Sequence, residues 1–181
     1  MLTPLEQQLI SLGLVGMGVY FLVQLVRGLA GYGRFLAVRD TAELTWPTPR
    51  PAQLRYLTVL GVLGAVLAVV HAWLHRPIHH VVAFGLMTVY FLGLVPLARR
   101  IRLGLYRDGV WAHRGFLRWS DVGRIAFVEA PQIVLLLRPH RGGASFKLPV
   151  PAGDYGAVRR LIEDKARAGV LRLDPAILGL S

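Results

Sequence analysis

Four histidines fall within the ten residues "HAWLHRPIHH" (71–80), and imidazole is a frequent ligand of zinc and of haem iron. His71 and His75 stand four apart at the end of one apolar run, a spacing that puts both on one helical face, and His79 and His80 open the next run. A tight reversal between the runs would bring two or three of these rings together. His71, His75, His79 and His80 are therefore candidate cofactor-binding residues, with haem or a chlorophyll-type pigment as the group they would suit. The surrounding composition weighs against that reading. No Asp or Glu occurs between Glu43 and Asp108, so a carboxylate to orient a ligating ring would have to come from Glu6 or from another chain. The chain has no cysteine, which removes thiolate metal sites, iron–sulfur clusters, disulfides and Cys nucleophiles. The expected role of the stretch is an exterior polar turn or a protein-contact surface, with no metal and no cofactor.

The cations form a second candidate. Of the 21 basic residues only Lys147 and Lys165 are lysine, and the net charge is +11. Arg99, Arg100, Arg102 and Arg107 follow the last apolar run, with Arg114, Arg118 and Arg124 close behind. Each such residue beside an anionic leaflet contributes about 1 kcal/mol of attraction. These four arginines, with Trp46 as a headgroup-level anchor, are candidate lipid-binding residues. No recognition helix or RNP-like motif accompanies the arginines, so nucleic acid is not an expected partner. Catalysis has no foothold either. The sequence lacks a G-x-S-x-G elbow, a Walker loop and an H-E-x-x-H pair, and Ser120-Asp121 reads as turn chemistry rather than part of a triad with His113. The chain is not expected to be an enzyme.

These residues must be positioned by membrane helices. Hydrophobic residues make up 54% of the chain and mean hydropathy is +0.50, too apolar for an ordinary soluble domain. Three runs, over about 9–30, 56–74 and 78–98, each approach the ~20 residues that cross a ~30 Å hydrocarbon core. The first does not fit a cleaved signal peptide, having no basic n-region and no small-residue cleavage site. Before it stands Glu6 and no cation. The link after it carries Arg27, Arg34, Arg39, Arg50 and Arg55, the next turn only Arg76, and the third run ends in Arg99 and Arg100. The positive-inside rule then predicts an N-terminus outside, the His-rich turn outside and the C-terminal part in the cytoplasm of a bacterial inner membrane. Gly61, Gly64, Ala65, Ala68 and Ala72 offer close helix packing. The proline-rich "TWPTPRP" is expected to run extended along the interface.

Beyond Arg102 the character changes. "LGLY", "VWAH", "FLRW", "RIAFVE", "QIVLLLR" and "SFKLPV" are separated by turn residues and read as about six antiparallel strands. Asp154 as N-cap, the stripe Tyr155, Val158, Leu161 and Ile162, and Gly169 as stop predict a closing helix. The domains are thus 1–100 (transmembrane), 101–170 (β with a C-terminal helix) and a tail at 171–181. The fold class is membrane α plus β: three transmembrane helices followed by a small antiparallel β-barrel or sheet domain.

The stretch "GLYRDGVWAHRGFLRWSDVGRIAF", with its Asp108-Gly109 turn and its Trp119-Ser120-Asp121-Val122 step, resembles the bacterial pleckstrin-homology-like (PH-like) domains that follow a membrane hairpin. The resemblance covers about residues 78–168. It implies a binding or scaffolding module with no catalytic residues to carry over. One departure is length, since about 70 residues is short for a seven-stranded barrel. The expected function is a non-catalytic accessory or scaffold subunit of a larger respiratory, photosynthetic or transport complex. Its partners would be the bilayer and other integral membrane subunits, with anionic-lipid sensing as the alternative.

Overall fold

The computed structural model describes residues 3–48, 53–128 and 131–171. The chain divides into two compact units, one made of 1–33 and 48–101, the other of 34–47 and 102–181.

The first unit is helical. Helices α1 (Pro4–Val38), α2 (Leu54–Trp73) and α3 (Ile78–Ala98) are each long and apolar enough to cross a membrane. α1 begins at a capping box: Thr3 Oγ1 accepts from the Glu6 amide at 3.3 Å, and the Thr3 amide donates to Glu6 Oε2 at 2.7 Å. At 1.5 Å per residue it is about 52 Å long, well beyond a hydrocarbon core, and the division between the units falls inside it at Gly33/Arg34.

α2 and α3 pack as a hairpin through the small residues. A Cβ on Gly61 would stand 2.6 Å from Leu92 Cγ, and one on Gly64 would meet Thr88 Oγ1 at 2.9 Å. Gly61 and Gly64 are buried, whereas Ala72 at the end of the same series is exposed. α1 joins through Gly18, whose absent Cβ leaves room for Ala83, and through Phe21, whose ring lies 5.3 Å from Tyr90 and 5.5 Å from Phe91. α3 widens into a π-helical stretch at Val89–Leu94 just before Pro96. Proline has no amide to give the Leu92 carbonyl and its ring presses on that carbonyl, so a wider turn is the local answer.

The second unit holds seven strands among the described residues. Strands β1 (Ala42–Pro47), β2 (Arg102–Tyr106), β3 (Gly109–Ala112) and β4 (Gly115–Arg118) make one antiparallel sheet in that order; β5 (Val122–Val128), β6 (Val134–Pro139) and β7 (Phe146–Pro149) make another. Helix α4 (Tyr155–Arg167) follows, with Val158 and Ile162 fully buried. The core is built on Trp119, Tyr106, Leu105, Ile125, Leu135, Leu137 and Leu148. Asp154 occupies the N-cap position without making a side-chain cap bond. Gly169 (φ +71) ends the helix, with Val170 N donating to Lys165 O at 3.1 Å.

Two expectations change here. A domain boundary at 100/101 leaves the link outside the β unit, yet Arg34–Pro47 belongs to it. β1 pairs with β2 from Ala42↔Tyr106 to Pro47↔Arg102, and Phe35 at the end of α1 sets its ring edge-on to Trp111 at 5.6 Å. Trp46 is accordingly no headgroup anchor: it sits opposite Leu103 in β1 and is only 7% exposed. Six strands read from 102 onward are joined by a seventh drawn from between the first two helices. Of "TWPTPRP", residues 49–51 lie outside the described residues, as does the expected tail except for Leu171, which is buried.

Candidate functional site

The histidine turn is built by the end of α2 and the start of α3. α2 stops at Trp73, and the chain leaves it through a Schellman closure, with Arg76 N donating to His71 O at 2.9 Å and His75 N to Ala72 O at 3.1 Å. His75 occupies the left-handed position of that closure (φ 49), where glycine is the usual residue. The expected i, i+4 pairing of His71 with His75 therefore fails. The helix has ended before His75, which is exposed and outside the cluster.

The other three rings do meet. His71 and His80 have centroids 5.5 Å apart, and His79 and His80 4.5 Å. His71 Nδ1 lies 2.9 Å from Leu67 O; a carbonyl only accepts, so Nδ1 is the donor of this bond. His80 Nε2 is 3.2 Å from Ser11 Oγ on α1. His79 Nε2 and His80 Nδ1 are buried without a hydrogen-bond partner. If His80 donates from Nε2 to Ser11, its orphan nitrogen is an acceptor, and under-satisfied acceptors are better tolerated than orphaned donors. Gln7, Ser11, His71, Arg76 and His80 share an open cavity of about 530 Å³.

The polar residues that complete this cavity, Gln7 and Ser11, are on α1 and were not singled out by sequence. Their interruption of an apolar helix was the available signal. Glu6, the carboxylate next to Gln7 in sequence, is engaged with Thr3. Among the described residues no group of three or more His, Cys, Asp or Glu side chains is arranged to hold a metal ion. What the turn offers is a polar, imidazole-lined recess able to exchange hydrogen bonds.

No family model, curated protein or solved structure matches this chain.

The cationic candidates divide between the units. Arg99 and Arg100 are exposed in the turn that ends α3. Arg102 opens β2, exposed, and its carbonyl accepts from Tyr106 Oη at 2.9 Å. Arg107 is exposed in the β2–β3 turn, its amide donating to Thr41 O at 2.9 Å and its carbonyl accepting from Lys165 Nζ at 3.3 Å. Buried Trp46 does not belong with them. His113 is bound to Lys147, its Nδ1 lying 2.8 Å from that residue's carbonyl, which joins β7 to the turn after β3.

Proposed function

We propose that this chain is a non-catalytic, multi-pass accessory subunit of a larger bacterial inner-membrane assembly, respiratory, photosynthetic or transport, whose β unit is a PH-like docking module. The observation that carries the reading is that the β unit is not a terminal appendage. The chain passes between the two units three times, at 33/34, 47/48 and 101/102, and Thr48 Oγ1 donates to Ile101 O at 2.7 Å where two of those passages meet. A module assembled from two separate stretches of the chain, rather than carried at one end of it, supports reading it as a built-in docking unit. The four-plus-three strand order followed by an amphipathic helix supports the PH-like assignment and supplies the strand that 70 residues alone were short of. Arginine placement supports an exterior N-terminus and a cytoplasmic β unit.

A second reading, anionic-lipid sensing, is favoured by the exposure of Arg99, Arg100, Arg102 and Arg107. The deciding experiment is purification of the tagged native protein in a gentle detergent, with sizing, absorbance and mass spectrometry. Comigration with stoichiometric membrane partners supports the subunit reading, and a visible band in that peak would point to a pigment at the histidine turn. A colourless, solitary chain would overturn it in favour of lipid sensing.

A further inference from the structure

Arg124 and Arg138 are direct cross-strand partners in the β5–β6 pair. Opposed residues of an antiparallel pair project from the same face, with Cβ atoms about 4.5–5.5 Å apart, and like charges there repel. Both are exposed, and no ion pair or side-chain hydrogen bond among the described residues engages either one. The strand register shifts beside them, between Val122 and Arg124. Gly123 stands at that shift because His140 lies against it: a Cβ would be 3.0 Å from both Cα and Nδ1 of His140. The absent side chain thus lets His140 lie against the strand beside Arg124 and line the same recess as the two arginines. The following turn passes through Gly142 (φ +75) and Gly143 (φ +103), where an added Cβ would meet nothing within 4 Å, and Gly142 reaches the same recess. Together Gly123, Arg124, Arg138, Pro139, His140 and Gly142 line an open recess of about 320 Å³, with no carboxylate among the described lining residues.

We infer that this recess is an anion site for a phosphate group, clamped by Arg124 and Arg138. A strand pair that seats two arginines directly opposite each other on one face, with no acid among the described residues that line their recess, carries a repulsion that a bound dianion removes. Planar guanidinium donors match phosphate oxygens in pairs, and His140 adds a further donor when its ring nitrogen is protonated. The phosphate could be free or borne on a lipid headgroup; the recognition chemistry is the same. Arg99, Arg100, Arg102 and Arg107 take no part in this site, which does not depend on the subunit reading.

The test uses the full chain in an uncharged detergent, with inorganic phosphate and, separately, short-chain phosphatidic acid as probes. Sodium chloride at matched ionic strength is the control, and calorimetric titration and thermal melting are the readouts. Saturable phosphate binding that raises the melting temperature is expected, weakened about tenfold or more in Arg124→Gln and in Arg138→Gln. In chloride alone both variants should melt at or above the parent, because each relieves the repulsion; this separates a lost site from a lost fold. Tighter binding of phosphatidic acid, displaced by phosphate, would identify a headgroup as the source, and binding of phosphate alone a soluble one. Responses to both probes no greater than to chloride, or unchanged in both variants, would overturn the inference.

Discussion

The indole of Trp119 donates from Nε1 to the carbonyl of Tyr106 at 3.0 Å, with the two residues 2% and 1% exposed. This bond ties the turn after β4 back to the end of β2 within the core of the β unit. Trp119→Phe keeps an aromatic ring but removes the donor and some volume, and should destabilise the unit by about 1–3 kcal/mol. Amide hydrogen exchange of the full chain in detergent would read this as faster exchange in β2 and β5. Exchange equal to the parent would show the bond to be dispensable.

Burial pushes the Tyr106 hydroxyl up to about 12 from its ordinary 10.0, against an opposing pull from the Arg102 charge. The folded chain keeps this proton in a window where the unfolded chain has lost it. Its contribution to stability is therefore complete below pH 10 and declines as pH rises from 10 toward 12. Tyrosinate absorbance of the parent minus that of Tyr106→Phe should show a single step above pH 10. A difference step centred at 10 would contradict the burial argument.

Gly104 in β2 has φ +147, and a Cβ there would run into the Leu44 carbonyl oxygen and lie 2.7 Å from Thr45 Cα. Gly104→Ala combines an unfavourable backbone conformation, roughly 1–2 kcal/mol, with a collision against backbone that cannot swing away. The expected result is loss of β1 pairing, seen as protease cleavage within 42–47 that the parent resists. Resistance equal to the parent would mean that β1 tolerates the displacement.

His75 holds the left-handed position that closes α2, at an energetic cost glycine does not bear. His75→Gly should raise the melting temperature of the detergent-solubilised chain, by a gain of up to about 1 kcal/mol. A lower melting temperature would instead reveal a stabilising contact of the imidazole.

Lys165 Nζ meets Glu43 Oε1 at 2.7 Å, joining α4 to β1 with side chains 17% and 30% exposed. A double-mutant cycle with Lys165→Met and Glu43→Gln should give a coupling of about 0.5–1 kcal/mol that shrinks at high salt. Zero coupling at low salt would reduce the pair to an incidental contact.

Much of this architecture was legible locally. Val158 and Ile162 fall on the helical stripe read from sequence, and Gly169 stops that helix as its position suggested. Asp108-Gly109 does mark a hairpin, though the turn itself is Arg107-Asp108. Gly109 already belongs to β3, where Leu117 O and Arg118 Cα leave no room for a Cβ. The histidine cluster was legible in part. His71, His79 and His80 come together, but one residue's difference in where α2 ends removes His75, and no periodicity resolves a helix end that finely.

Local sequence was enough to set the three long apolar helices, the strands after Arg102 and the closing amphipathic helix. In each, the deciding quantity is a run or a period within some twenty residues, and that is written in neighbouring side chains. Long-range packing was needed to make Ala42–Pro47 a strand, to put Trp46 in the core rather than at an interface, and to bring Ser11 to His80. The β1–β2 partners lie some sixty residues apart in sequence, Ala42↔Tyr106 and Pro47↔Arg102, so their pairing depends on where two distant segments meet. A tryptophan followed by prolines reads the same whether it ends beside lipid or beneath a sheet. Its environment was settled by the strand that came to lie next to it.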